Sequence, residues 1–203
     1  MKIICIGRNY VNHAKEMNAE VPQAPVFFMK PDTALLPKKN PFYYPEFTQN
    51  LHHECEIVIK ITRVGKNIAE KFAHDYYDSM TLGIDFTARD LQDICKAKGL
   101  PWEIAKSFEH SAPIGDTFIP IQGKNIQDIQ FHLEKNGEVI QQGNTKDMLF
   151  TVDKLIAYIS QFMTLKIGDL IFTGTPAGVG PVQIGDHLVG YIEGEKILDL
   201  KIK

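Results

Sequence analysis

The chain has 203 residues, of which 44% are hydrophobic and 23% charged, with a formal net charge of −3. That is enough for one buried core without disulfide or metal staples. With no block of like charge, it points away from a nucleic-acid groove and from a membrane surface. No apolar run approaches the ~18 residues that a bilayer span needs. The opening Met1-Lys2-Ile3-Ile4-Cys5-Ile6-Gly7 is too short, and too soon followed by Arg8 and Asn9, for a secretion signal. Cys5, Cys55 and Cys95 are odd in number and form no CxxC pair, which reads as reduced thiols in a cytoplasmic protein.

In chain order, the first apolar residues form a short strand and residues 11–17 suit a short helix. On that helix His13 and Glu16 share a face. Pro22, Pro25, Pro31, Pro37, Pro41 and Pro45 then forbid long helices, and residues 25–31 read as a brief buried strand. Polar–apolar alternation over residues 52–61 marks a strand running to about Arg63. It projects Glu54 and Glu56 to one face and Ile57, Ile59 and Ile61 to the other. A helix over 69–77 follows, then a buried strand over 80–87 containing Asp85. Next come a helix over 88–98 stopping at Gly99 and a loop over 100–108 with Lys106 embedded in it. Alternation at 129–134 and 138–141 flanks Asn136-Gly137, a hairpin signal. Residues 151–162 form an amphipathic helix. A strand over 169–173 enters the glycine-rich loop 174–180, and two short strands close the chain. With no repeat and no linker, residues 1–203 read as one α+β domain, mainly β.

Two carboxylates as close as Glu54 and Glu56 repel or share a proton unless a cation lies between them; alone, they equally suit a solvated strand face. Asp85 is the best third oxygen ligand, its other reading being a helix N-cap. Such a set suits a hard cation such as Mg²⁺, whereas no histidine or cysteine pair stands at zinc-ligand spacing. His13 oriented by Glu16 is a candidate general base. Lys106, among Trp102, Ile104, Ala105 and Phe108, either neutralises an anion in a site or lays its stem on the core with its head in water. The 174–180 loop lacks a P-loop ending. It reads as a tight turn whose amides and Thr175 hydroxyl approach a small anion.

Five motifs stand in order: Gly7-Arg8-Asn9-Tyr10 with His13 and Glu16; His53-Glu54-Cys55-Glu56; Gly83-Ile84-Asp85 with Thr87-Ala88-Arg89-Asp90-Leu91-Gln92; Ala105-Lys106-Ser107-Phe108; and Thr173-Gly174-Thr175-Pro176-Ala177-Gly178-Val179-Gly180. Together they resemble the fumarylacetoacetate hydrolase family, in its short acylpyruvase and oxaloacetate decarboxylase branch. The resemblance implies a mixed β-sandwich roll assembled as a homodimer. It implies that Glu54, Glu56 and Asp85 hold Mg²⁺ or Mn²⁺, and that His13 and Glu16 lie on a lid segment (residues 10–20) that orders over substrate. It also implies that Lys106 and Thr175 contact the substrate, with Arg89 and Gln92 beside it. The expected activity is hydrolysis of a C–C bond in acylpyruvates or related 2-oxo acids through a metal-stabilised enolate. Oxaloacetate decarboxylation and isomerisation of the 2-hydroxyhepta-2,4-diene-1,7-dioate type are the alternatives within the family. A non-catalytic metal- or ligand-binding scaffold is the alternative from another class.

Overall fold

The computed structural model describes every residue except Asn18 and Ala19. Its first half comprises β1 (Ile3–Ile6), α1 (Val11–Glu16), β2 (Phe27–Lys30), β3 (Leu51–His53), β4 (Cys55–Ile61), β5 (Tyr77–Ile84), β6 (Thr87–Ala88), α2 (Arg89–Lys98) and α3 (Glu103–Lys106). The second half comprises β7 (Ile119–Pro120), β8 (Gln130–Lys135), β9 (Glu138–Asn144), α4 (Val152–Phe162), β10 (Leu170–Phe172), β11 (Gly180–Pro181), β12 (His187–Ile192) and β13 (Glu195–Lys201).

These strands make a six-stranded sheet in the order β2-β1-β10-β4-β5-β7, a three-stranded sheet β11-β3-β6, and a four-stranded sheet β13-β12-β8-β9. Among the strands of the described residues, β1 and β10 pair in parallel and the other ladders are antiparallel, with one isolated parallel bridge between Phe42 and Ile202. The large sheet is covered on both faces, which explains why Ile3, Ile4, Cys5 and Ile6 are all buried. Cys55, Ile57, Ile59 and Ile61 face the main core, while Val58 joins Ile3, Cys5, Leu170 and Phe172 on the opposite side. The chain enters and leaves the carboxylate cluster through the small sheet, whose β3 precedes Glu54 and whose β6 follows Asp85. Helix α4, capped by the Thr151 side chain, buries Val152, Leu155, Ile156 and Ile159. The hairpin turn falls at Asn136-Gly137 between β8 and β9, with φ of 56° and 87°.

Several expected elements differ. The single strand over 52–61 is two strands in different sheets, with Glu54 in the break between them. The break turns the chain so that the Glu54 carbonyl accepts the Asp85 amide at 2.8 Å. The helix expected at 69–77 is a 3-10 turn over Glu70–Tyr76, because Tyr77 already pairs with Ile61. The strand expected to reach residue 87 ends at Ile84. The loop around Lys106 contains the single-turn helix α3. Strand β2 is not the buried strand expected from its apolar run: it is an edge strand on which Met29 is exposed and Lys30 is buried.

Candidate active site

Three acids converge where the small sheet meets the large one. Glu54 comes from the β3–β4 break, Glu56 from the next pleat of β4, opposite Gly83, and Asp85 from just beyond β5. All three are buried, and ligand oxygens from each lie within 4.8 Å of one another. The N-cap alternative for Asp85 fails, since α2 starts at Arg89 after Ala88.

The cluster is not left as bare negative charge. Lys106 Nζ lies 2.8 Å from both Glu54 Oε2 and Asp85 Oδ2, and its residue is only 2% exposed, so its head is not in water. Arg89 reaches Glu54 Oε1 at 2.6 Å, and the Thr87 hydroxyl donates to the same oxygen at 3.0 Å. Burial alone would raise the Glu54 carboxyl, but Lys106 and Arg89 outweigh it and hold the group well below the usual carboxylate range. Glu56 goes the other way. Burial, then Asp85 and Glu54, push its carboxyl well up, only partly opposed by a hydrogen bond from the Gly174 amide. The Lys106 ammonium keeps its proton because Asp85 and Glu54 overcome the effect of burial.

One oxygen of the cluster is incompletely satisfied. Asp85 Oδ1 has the Lys30 ammonium 2.8 Å away, yet out of line for a hydrogen bond, so this buried atom has no directed donor. Three convergent carboxylates with an under-satisfied oxygen are an all-oxygen donor set of the kind a hard divalent cation takes. Cys55 adds nothing to it, since its side chain belongs to the main core.

Helix α1 closes over this cluster. His13 Nδ1 lies 3.2 Å from Glu16 Oε2, and the Gly178 amide donates to Glu16 Oε1 at 3.0 Å. His13 is buried and lines a cleft with Glu54, Arg89, Gln92 and Lys106. That cleft encloses about 30 Å³, room for a water or two. Of the expected lid segment 10–20, Asn18 and Ala19 lie outside the described residues.

The glycine-rich loop does approach anions, but they are the chain's own carboxylates. Besides Gly178 on Glu16, the Gly174 amide donates to Glu56 Oε2 at 2.7 Å. Gly174 has φ +98°, and a Cβ there would meet Asn9 Cβ at 2.6 Å, so only glycine brings that amide to Glu56. The Thr175 hydroxyl donates to the Cys55 carbonyl at 2.9 Å and accepts from Gln141 Nε2 at 2.6 Å. Gln92 accepts from Arg89 at 2.7 Å. The expected site residues thus gather in one place, with the Thr175 hydroxyl engaged by the Cys55 carbonyl and Gln141.

Three polar residues escaped the sequence reading. Lys30 donates to the carbonyls of Phe86 and Lys106, and to the carbonyl and hydroxyl of Ser111. A lone lysine closing an apolar run was its signal, the same one that singled out Lys106. Asn9 ties β1 to two distant segments through the Phe150 amide and the carbonyls of Phe150 and Thr173. Gln141 joins His53, the Cys55 amide, Thr175 and the Pro176 carbonyl. Neither amide had a local pattern to reveal it.

A two-sided roll whose links deliver three buried acids, a closing helix with a His–Glu pair and a buried lysine defines an enzyme site. A family-wide sequence pattern, fumarylacetoacetate (FAA) hydrolase C-terminal, matches residues 2–202, and the chain belongs to that family. It is 43% identical over 202 residues to a mitochondrial oxaloacetate tautomerase of Bos taurus, covering 99% of this chain and 90% of that protein. It is 44% identical over 201 residues to a mitochondrial oxaloacetate decarboxylase of Dictyostelium discoideum, covering 95% and 89%. The fold matches a fumarylpyruvate hydrolase from Pseudomonas aeruginosa, in complex with Mn²⁺ and pyruvate, with a TM-score of 0.93. That pair shares 36% identity over 100% of this chain and 89% of the other.

Proposed function

We propose that this protein performs keto–enol chemistry on a short 2-oxo acid, with oxaloacetate tautomerisation or decarboxylation favoured over acylpyruvate hydrolysis. The carrying observation is the buried Glu54–Glu56–Asp85 cluster closed over by His13. The curated relatives named for oxaloacetate chemistry support the choice of reaction over C–C hydrolysis. Glu54, Glu56 and Asp85 would hold Mg²⁺ or Mn²⁺, which supplies Lewis acidity toward a 2-oxo carbonyl and its carboxylate.

The remaining chemistry follows from the chain's own residues. Glu16 holds His13 Nδ1, which leaves Nε2 as the nitrogen that takes a proton from substrate C3 and returns it. Tautomerisation breaks that C–H bond and forms an O–H bond at the 2-oxo oxygen. Decarboxylation sends the C3–C4 bonding pair toward the same oxygen, releases CO₂ and needs a proton delivered to C3. Lys106 and Arg89 favour the negative charge that both routes gather near them. Closure of α1 excludes bulk water, which suits both routes better than a hydrolysis that must admit one. A homodimer belongs to the same proposal, and light scattering on the purified protein reads it. Three buried free cysteines support a reducing compartment. The relatives' names say mitochondrial where the sequence alone suggested cytoplasmic, and thiols stay reduced in either.

The scaffold alternative is disfavoured by the intact His13–Glu16 pair. The deciding assay follows the enol absorbance of oxaloacetate and pyruvate release from oxaloacetate and acetylpyruvate, with and without Mg²⁺ or Mn²⁺. Absence of any metal-dependent turnover refutes the proposal, and turnover confined to acetylpyruvate refutes the preference for oxaloacetate.

A further inference from the structure

The cations of the cleft fall into two groups. Lys106 and Arg89 are committed to Glu54 and Asp85 at its floor. Arg8 and Lys96 also line the cleft, and among the described residues neither has a carboxylate within ion-pair distance. Arg8 makes one long contact, 3.4 Å to the Glu20 carbonyl. Lys96 stands 5.9 Å above the Trp102 ring, and Asp93, one turn back on α2, does not pair with it. The floor offers one further donor: Arg89 Nε is buried and has no hydrogen-bond partner. With Lys106 and Arg89 matched by Glu54 and Asp85, the excess of positive charge lies with Arg8 and Lys96.

We infer that Arg8 and Lys96 form a subsite for the distal carboxylate of a dianionic 2-oxo acid, and so select diacids over 2-oxo acids with a neutral tail. This rests on the 2-oxo acid reading. With the 2-oxo end at the acid cluster and the floor closed by Lys30, Asp85 and β4, the other end of the substrate can point only toward the mouth. There an added carboxylate meets two uncommitted cations, whereas a neutral acyl tail leaves them solvated and gains nothing from them. Trp102, the one tryptophan of the chain, lines the same cleft and reports on occupancy.

The test compares the Lys96→Met and Arg8→Gln single and double variants with the wild type, all loaded with Mn²⁺. The readouts are kcat/KM for oxaloacetate and for acetylpyruvate, and Trp102 fluorescence titrations with oxaloacetate and with 2-oxobutyrate, which lacks the distal carboxylate. The expected result is a fall of about tenfold in the oxaloacetate-to-acetylpyruvate ratio in the double variant, carried by KM rather than kcat. A matching loss in the binding preference for oxaloacetate over 2-oxobutyrate is also expected. Equal losses for both substrates, or an unchanged ratio, overturn the subsite. The titrations need no turnover, so a binding preference that falls in the variants supports the subsite even if neither compound is converted. Binding of neither compound by the wild type overturns the subsite and the functional reading together. Lys96 is on the exposed face of α2, so Lys96→Met tests the proposal without threatening the fold.

Discussion

Lys30 offers the sharpest test of how this site is held together. Its ammonium is fully buried beside Asp85, and its three N–H groups are shared among the carbonyls of Phe86, Lys106 and Ser111 and the Ser111 hydroxyl. Lys30→Met keeps a four-atom apolar stem and removes the ammonium, with its charge and its donors. Asp85 then loses one of its two countercharges, and the carbonyls of Phe86, Lys106 and Ser111 lose a donor. Breaking a buried ion pair by deleting one partner costs about 3–5 kcal/mol. With a urea m-value of about 2 kcal/mol/M, the unfolding midpoint of the metal-free protein should fall by about 2 M. The comparison is Lys196→Met, which removes an exposed pair with Asp199 at 2.6 Å and should leave the midpoint unmoved, because solvent already screens both charges. Urea unfolding followed by far-UV circular dichroism in EDTA measures both. If Lys30→Met shifts the midpoint no more than Lys196→Met, the view of Lys30 as the strut of the acid cluster is wrong.

Other substitutions probe the chemistry and the closure. Glu54→Gln and Asp85→Asn should each weaken Mn²⁺ binding by at least about tenfold and abolish turnover; titration by electron paramagnetic resonance reads the first, and unaltered affinity rejects the ligand assignment. His13→Ala should cut turnover by about 10²–10⁴-fold while leaving Mn²⁺ affinity unchanged; parallel losses would remove its role in proton transfer. Gly178→Ala puts a Cβ 2.9 Å from the Ile140 carbonyl at φ +101°. It should therefore strain the loop by about 1–3 kcal/mol, release Glu16, and speed hydrogen exchange over α1; unchanged exchange there contradicts the latch. Asp90 accepts hydrogen bonds from the Thr48 hydroxyl and from the Gln49 and Leu91 amides. Burial would raise its carboxyl, but these bonds more than offset it and lower the group below its ordinary 3.8. Its contribution is therefore present above the unfolded value and lost as pH falls through the folded one. Asp90→Asn should cost about 1 kcal/mol at pH 7, a gap that closes below about pH 3.8; a gap independent of pH would contradict this.

Periodicity and local punctuation made much of this fold legible. The β8–β9 hairpin, α4 and α2 ending at Gly99 follow from short-range signals that tertiary contacts do not override. The break at Glu54 was invisible because polar–apolar alternation continues straight through it; only the pairing of β3 with β11 and β6 shows that the chain changes sheets. The acids, the His13–Glu16 pair and Lys106 were legible as residue types in ordered motifs. Asn9 and Gln141 were not, since their partners lie far along the chain and an amide's role is set entirely by what surrounds it. Lys30 failed for a different reason. A strand read as buried was assigned its apolar residues as the inward ones, and the structure inverts that pattern.

The small sheet has a consequence for how the protein fails. Its three strands have two, three and two residues, and it carries the chain into Glu54 on one side and out past Asp85 on the other. Few backbone hydrogen bonds fasten it, whereas the six-stranded sheet is locked between two apolar layers. Opening of so slight a unit requires far less free energy than global unfolding. Brief openings under native conditions should therefore scatter the acids while the bulk of the β-structure persists. The protein then passes through an inactive but still folded state, and recovers from it as fast as three short strands can re-pair. A divalent cation shared by Glu54, Glu56 and Asp85 would act as the clasp on that weak corner, so that loss of the ion and loss of local order become one event.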